Sequence, residues 1–241
     1  MPQAFTIISA RFARDLTADD DQSAAPTGAT MSMAGSEVDW AETGMPSRRR
    51  TVRTWIAVWP DRDLARSYLD RRFEHIPLLA QAEEHWCGLM LPYQSHGDLN
   101  WLPEGTSTAV FDNLGPRPKP ARPVFVMTTL GIGNPGEGMI AFGKGTRAVR
   151  QAFADLPAVI LEQQLLPDVQ GLDAPTLTLW ENEAEVIGAA YRSEPHRSAM
   201  KVADHPDLAR GSFTRMTLLW AEGSWEGVNL RSKGAIGPKS D

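Results

Sequence analysis

The feature that most constrains this chain is a pattern that occurs twice along it. In each half a strand pattern ends in a tryptophan and a helix pattern follows. A histidine then lies sixteen residues after the tryptophan, which pairs Trp59 with His75 and Trp180 with His196. A further strand pattern, a glycine-containing turn and another tryptophan come next in both halves. Because an internal sequence repeat indicates a repeated structural unit, we expect two similar halves.

The order of the predicted elements defines that unit. Strand patterns cover residues 4–12, 51–59, 84–93, 124–130, 158–166, 175–180 and 212–220. Helix patterns begin after Pro60, cover about 138–154, and run from 181 to about 202. Residues 158–166 fit a strand or a helix, and their short length between prolines favours a strand. Two β-α-β-β-α-β units predict an α+β fold of tandem ferredoxin-like repeats, of the dimeric α+β barrel type, with an apolar pocket between a sheet and a helix.

The first of the two repeats is predicted to be degenerate. Residues 15–50 are rich in Asp, Ser, Ala, Gly and Thr without a clear period, so they predict a long polar loop with a short helix around 38–42. Residues 115–123 carry a proline at every second or third position, which is typical of a stiff extended linker. The predicted organisation is a first half over 1–114, the linker, a second half over 124–227 and a disordered tail over 228–241.

Composition excludes several classes of protein. The chain has 241 residues, of which 42% are hydrophobic, and this is enough to build a core. A net charge of −6 argues against a nucleic-acid partner, because little would neutralise a run of phosphates. The single cysteine, Cys87, excludes a disulfide framework or a multi-cysteine metal site within one chain. The start of the chain lacks a signal-peptide pattern and no stretch approaches 18 apolar residues, so the sequence predicts a cytoplasmic protein without a transmembrane segment.

Two stretches resemble the spheroidene monooxygenases, a family of bacterial carotenoid biosynthesis. One is residues 55–66, W-I-A-V-W-P-D-R-D-L-A-R. The stronger one covers 175–227, where the family pattern is a strand ending in Trp, a helix, Pro-His, a strand with Arg, and Gly-Ser-Trp-x-Gly. This chain matches that pattern with Trp180, Pro195-His196, Arg215 and Gly223-Ser224-Trp225-Glu226-Gly227. It departs from the family in the 15–50 loop, which would reshape access to a pocket, and at Glu181, which replaces a proline.

The resemblance implies a haem-dependent monooxygenase with haem b in the second half. His196 would be the iron ligand, because a neutral imidazole can bind iron through one nitrogen while the other is held by an acceptor. Arg215 would pair with a haem propionate or polarise a bound oxygen species. Arg192 and Met200 would border the macrocycle, because a continuous helix would place them one turn before and one turn after the histidine. Trp225 would close the pocket.

Each of these residues also has a structural interpretation. His196 fits a surface histidine beside Arg197, and Arg215 fits an outward strand position paired with an acidic neighbour. Packing alone explains Arg192 and Met200, and Trp225 fits a cap on the core. Arg147 and Arg150 are further candidates for propionates. His85 and His96 are alternative ligands, whereas His75 is interpreted as structural and His205 as exposed.

Several functions remain open at this point. The first is a haem oxygenase that acts on an apolar or semi-polar small molecule and draws on an electron donor. A variant is a haem enzyme with an N–O substrate, as in the aldoxime dehydratases, which also use a ferredoxin-like haem fold. A non-catalytic haem or small-ligand binding module and a cofactor-independent barrel enzyme are the others. A homo-oligomer fits any of them, because sheets of this class leave apolar faces that often pair.

Overall fold

The computed structural model of this chain contains ten strands and five α-helices in its described parts, which are residues 1–17, 19–21, 23, 25–101, 108–109, 111–132, 136–202 and 205–232. The strands are β1 (Ala4–Arg11), β2 (Met31–Trp40), β3 (Pro46–Trp59), β4 (Glu84–Leu99), β5 (Thr108–Ala109), β6 (Val124–Ile132), β7 (Val159–Pro167), β8 (Ala174–Trp180), β9 (Leu208–Trp225) and β10 (Val228–Asn229). The α-helices are α1 (Arg62–Asp70), α2 (Arg72–His75), α3 (Glu137–Ala154), α4 (Glu183–Arg192) and α5 (Glu194–Val202). Short 3₁₀ turns cover Pro77–Gln81 and Leu230–Ser232.

Eight of the strands close into an antiparallel barrel. Their order around it is β9-β6-β8-β7-β2-β3-β1-β4, and the pairing of β4 with β9 completes the ring. Within the first half the order is β2-β3-β1-β4, and within the second it is β7-β8-β6-β9, so corresponding strands occupy corresponding places. The mixed α+β fold class and its barrel character are therefore confirmed.

The barrel interior is the main hydrophobic core, because alternate residues of each strand point inward. Phe5 and Ile7 of β1 meet Phe125 and Met127 of β6, and the ring centroids of Phe5 and Phe125 lie 5.9 Å apart. At one level the interior is polar: the Ser9 hydroxyl lies 2.9 Å from that of Thr54 and donates to Oε1 of Gln163 at 3.0 Å. These contacts fix β1, β3 and β7 against one another.

Helices cover the outer face of each half and build two smaller cores. In the first half α1 buries Ala65 and Leu69 against Ile8 and Trp59. Asp61 begins this helix by accepting hydrogen bonds from the backbone amides of Asp63 and Leu64. In the second half α3, α4 and α5 cover the other part of the barrel wall, with Phe153 packed edge-on against Trp180 at 5.0 Å.

The prediction of a polar loop over 15–50 is wrong for its second part. Residues 31–40 form β2, which pairs with both β3 and β7, and β3 begins at Pro46 instead of residue 51. The short helix predicted around 38–42 is absent, since β2 continues to Trp40. The physical reason is that Glu37 is buried to 2% exposure with ion pairs from Arg49 and Arg150, which local sequence pattern does not reveal.

Four predicted elements also need corrected boundaries. The predicted strand over 84–93 continues to Leu99, and the one over 212–220 runs from Leu208 to Trp225. The long helix from 181 to 202 is two helices, broken at Ser193, because Pro195 has no N–H to continue the α4 ladder and instead occupies the first turn of α5. The predicted disordered tail starts too early, since β10 pairs with β9 and Leu230 is buried; residues 233–241 lie outside the described residues.

Other predictions are confirmed. The helix over 138–154 is α3, the ambiguous residues 158–166 lie in strand β7, and Cys87 is buried with a pKa raised by burial to about 12. In the described residues between β1 and β2 there is no helix, so the first half lacks the counterpart of α3. Residues 115–123 contain no helix or strand and lead directly into β6.

Candidate functional site

A cavity of about 440 Å³ lies between the sheet of the second half and helices α3 and α5. This volume falls in the range of small-molecule sites, roughly 300–1,000 Å³. Its floor comes from β6, β7, β8 and the start of β9, and its roof from the two helices. The predicted pocket between a sheet and a helix is therefore present in the second half.

The walls of this second-half cavity are mainly apolar. The helix side presents Phe142, Val149, Phe153 and Ala199, and the strand side presents Val126, Leu130, Leu165 and Phe213. Small residues bring the two helices close: a Cβ atom on Gly145 of α3 would lie 3.4 Å from Ala199 of α5. Hydroxyl groups of Thr128, Thr176 and Thr178 add polar points on the floor.

His196 lines this cavity from the first turn of α5. Its ring stacks on Phe153 of α3, with centroids 6.2 Å apart and planes inclined by 19°. Ser193 precedes the helix, and its hydroxyl accepts a hydrogen bond from the His196 amide at 3.5 Å. The break at Ser193 lets α5 take a direction of its own, which places this histidine over the sheet.

Two other predicted cofactor residues lie near the same helix break. Met200, one turn after His196, lines the cavity at its rim and is 59% exposed. Arg192 is the exposed last residue of α4 and is not among the lining residues. The premise that Arg192 and Met200 share one helical face is wrong, because Ser193 separates α4 from α5.

Arg215 lies on β9 beside the cavity and not in its wall. Its guanidinium Nη1 donates to Oε1 of Gln94 and to Oε1 of Glu183, both at 3.2 Å, and its Cζ lies 5.2 Å from the centre of the Phe213 ring. Its side chain is only 9% exposed, so it forms a buried ion pair on the helix-covered outer face of the barrel. The pKa of the neighbouring Tyr93 is raised, mainly by burial and secondly by the negative charge of Glu183.

Trp225 lies at the opposite end of β9. It is thirteen residues beyond Ser212, which lines the cavity, and its side chain packs in the barrel interior. The Arg11 guanidinium lies 5.0 Å from its ring centre. The structure thus brings His196 and Met200 together, places Arg215 behind Phe213, and separates Trp225 from the cavity.

The structure adds lining residues that the sequence analysis did not assign to the pocket or gave only as alternatives. Trp40 of β2 reaches in from the first half, donates to Oε1 of Gln164 at 2.6 Å and packs edge-on against Phe142. His96 of β4 also lines the cavity, and its Nε2 lies 3.0 Å from the side-chain Nε2 of Gln94. Trp40 could have been found only if residues 31–40 had been recognised as a strand.

A buried cluster of charges lies at the edge of this cavity, where β2 meets β7. Arg150 of α3 pairs with Glu37 at 2.9 Å, with Glu162 at 2.8 Å and with Asp39 at 3.6 Å. Burial raises the pKa of Glu162 to about 7, against the opposing effect of Arg150. Arg150 is therefore committed to carboxylates, whereas Arg147 makes only a 3.5 Å contact with the exposed Glu42.

The remaining histidines pack in other parts of the fold. His75 stacks on Tyr68 with centroids 5.0 Å apart, and His85 meets Phe73 edge-on. Burial is the first cause that lowers the pKa of His85. His205 lies 3.5 Å from Asp207. In the described ranges no three His, Cys, Asp or Glu side chains are grouped to hold a metal ion, and none of the described helices is long and apolar enough to cross a membrane.

No protein-family model matches this sequence, and no curated protein matches it. Solved structures do match. An aldoxime dehydratase aligns over 90% of this chain and 81% of its own, with 10% identity and a TM-score of 0.54. The aldoxime dehydratase OxdRE in complex with butyraldoxime aligns over 90% and 79%, with 9% identity and a TM-score of 0.53. A candidate monooxygenase of Lactobacillus acidophilus NCFM aligns over 90% and 94% at 8% identity, but its TM-score of 0.38 is too low to carry an argument. At these identities the chain is similar to the aldoxime dehydratases in fold alone.

Proposed function

We propose that this protein is a haem-dependent oxygenase that acts on an apolar or semi-polar small molecule. Haem b would lie in the second-half cavity with His196 as its iron ligand. The observation that carries the proposal is the position of His196 at the roof of an apolar cavity between a helix pair and a sheet. The sequence resemblance to spheroidene monooxygenases supports the same residue independently.

The residues of the cavity fit a haem. A haem brings four of the iron's ligands with it, so one imidazole from the chain is sufficient. Apolar walls and the small residues Gly145 and Ala199 suit a flat macrocycle. Arg147, on the turn beside the lining residue Thr146, is the cation best placed to release its weak partner and pair with a propionate.

Bound haem would supply redox-active iron for dioxygen or peroxide chemistry. The side chains of the protein would hold the haem, exclude water and position the substrate. Phe142 and Phe153 exclude water from the apolar walls, and Met200 lies at the rim where a substrate would enter. Arg215 acts as a positioning residue, because its ion pair with Glu183 fixes the start of α4 and its guanidinium lies against Phe213. The proposal assigns no cofactor contact to Arg192 or Trp225.

The halves are proposed to be tandem ferredoxin-like repeats, with the first half over 1–114 and the second over 124–227. The support is the equal strand order in the two halves and the β-α-β-β-α-β succession of the second. In the first half the helix between β1 and β2 would have been replaced by the segment around residues 12–30.

A second candidate is a haem enzyme with an N–O substrate such as an aldoxime. The observation that favours it is that the aldoxime dehydratases are the solved structures reported above with TM-scores over 0.5. In both candidates the haem site and His196 are the same. The products distinguish them, since one reaction adds an oxygen atom to the substrate and the other removes water from an aldoxime to give a nitrile.

Titration with haemin tests the proposal, followed by visible absorption of the parent, His196→Ala and His75→Ala. His75 is a matched control because it occupies the place of His196 in the first half, sixteen residues after Trp59. We expect a saturable Soret band in the parent and in His75→Ala, and a lost or shifted band in His196→Ala. A parent without a saturable band, or equal spectra for all three folded proteins, would overturn the haem proposal. Product analysis with butyraldoxime, and with oxygen plus a reductant, then separates the two candidates.

A further inference from the structure

A second cavity lies in the first half, away from His196. Its volume is about 280 Å³, and it lies between β1, β2 and β3 on one side and residues from the 12–30 segment on the other. Asp21 holds that segment to β3: its carboxylate accepts hydrogen bonds from Arg53 Nε at 2.7 Å and from Trp55 Nε1 at 3.0 Å. The Trp55 indole also donates to the Ser23 hydroxyl at 2.9 Å, so the cover is fixed at two points.

This first-half cavity occupies the place that corresponds to the second-half cavity. Trp55 and Ala57 line it, four and two residues before the strand-ending Trp59. Thr176 and Thr178 line the other cavity, four and two residues before Trp180. The same strand positions therefore form a cavity floor in both halves, although the covering element differs.

The lining of the first-half cavity selects a different kind of ligand. Among the described residues that line it, the one titratable side chain is Tyr68, and none is a histidine, cysteine or carboxylate that could bind a metal. The charges at the edge are paired, since Arg53 binds Asp21 and Asp168, and Asp168 also pairs with Arg48. The walls carry the aromatic side chains of Trp55, Tyr68 and Trp101. An uncharged ring compound suits such walls, because burying a charge without a partner is costly.

Tyr68 provides a polar contact. Its ring lies between Trp59 and His75, each with centroids 5.0 Å away, so its direction is fixed. Burial, together with the charge of Asp21, raises its pKa to about 12, which keeps the phenol protonated. In the described part of the chain this hydroxyl has no hydrogen-bond partner, so it is available to donate to an oxygen atom of a ligand.

We propose that the first half binds a small uncharged aromatic molecule with one carbonyl or hydroxyl oxygen, in the cavity lined by Trp55, Tyr68 and Trp101 and hydrogen-bonded to Tyr68. This site is separate from the proposed haem site and does not depend on it. The binding requires no reaction.

Prodan, an uncharged naphthyl ketone with environment-sensitive fluorescence, is the probe for a test on the full-length chain without haemin. We expect saturable binding with a blue-shifted emission and quenching of tryptophan fluorescence. Tyr68→Phe should weaken binding about fivefold, since a hydrogen bond contributes about 1 kcal/mol. Ser32→Phe, which places a ring into the cavity from β2, should abolish binding. The matched control is Ala199→Phe, which fills the second-half cavity and should leave prodan binding unchanged.

Three outcomes would overturn the proposal: no saturable binding to the parent, loss of binding in Ala199→Phe but not in Ser32→Phe, or equal affinity in Tyr68→Phe and parent. Circular dichroism and thermal unfolding of each variant show that it is folded. If Ser32→Phe does not fold, Trp101→Phe provides the second measurement, because it should reduce tryptophan quenching by the bound probe while the fold is kept.

Discussion

Replacement of Glu162 by glutamine tests the account of the charge cluster between β2 and β7. The Glu162 side chain is 12% exposed, and its carboxylate lies 2.8 Å from Arg150 and near Glu37. Burial raises its pKa from 4.5 to about 7. A pKa change of this size means that ionisation of the carboxyl lowers the free energy of unfolding by about 3 kcal/mol.

The sign of the pH dependence follows from proton binding. In the unfolded chain Glu162 releases its proton near pH 4.5, whereas in the native protein it holds the proton to about pH 7. The native state therefore binds more protons in this window, and the contribution of Glu162 to stability is greatest below pH 4.5 and falls as the pH rises to 7. Glutamine removes this dependence and leaves Arg150 paired with Glu37 and Asp39.

We expect Glu162→Gln to be more stable than the parent by about 1–3 kcal/mol at pH 8 and to differ little from it at pH 5. Urea unfolding at both pH values, followed by circular dichroism, measures the difference. Glu42→Gln is a suitable control, because Glu42 is an exposed neighbour whose contact with Arg147 is 3.5 Å long. If the stability difference between Glu162→Gln and parent is the same at pH 5 and pH 8, burial of this carboxyl does not control the pH dependence and the reasoning is refuted.

Two further predictions concern the core and the cover of the first half. Phe125→Ala removes the ring that meets Phe5 in the barrel interior, so urea unfolding should show a loss of about 3–5 kcal/mol, and a loss below 1 kcal/mol would contradict the assigned core. Asp21→Asn weakens the contacts that hold the 12–30 segment to Arg53 and Trp55, so limited proteolysis should cut this segment faster than in the parent. Equal cleavage rates would show that these contacts do not hold it.

Most of the fold could be predicted from local pattern, because most strands carry β-branched and aromatic residues with a clear period. Strand β2 could not. Its sequence, M-S-M-A-G-S-E-V-D-W, alternates only in two short pieces, which a register shift between Ser36 and Glu37 separates, and its second neighbour, β7, is more than 120 residues away in sequence. The buried Glu37 is stabilised by an arginine of α3, so the information for this strand lies in distant residues.

The candidate site, like the fold, could be predicted only where its residues belong to a local sequence pattern. The repeated Trp-to-His spacing and the family resemblance both point to His196, which lines the cavity with Met200. Trp40 and His96 come from strands of the first half, and no spacing within the second half could indicate them. The placement of Trp225 shows the converse: a motif that is near His196 in sequence order can lie at the far end of a long strand.

The two seams that close the barrel differ in length, and this difference has a kinetic consequence. Strands β4 and β9 pair over eleven residue pairs, whereas β2 and β7 pair over three, from Gly35 with Pro167 to Glu37 with Leu165. Amide hydrogens in the short seam should therefore exchange with deuterium earlier than those in the long one, because opening it breaks fewer hydrogen bonds. Transient separation of β2 from β7 would carry Trp40 away from Gln164 and widen the second-half cavity for a moment. This opening would lie on the side of the barrel that carries the proposed haem site.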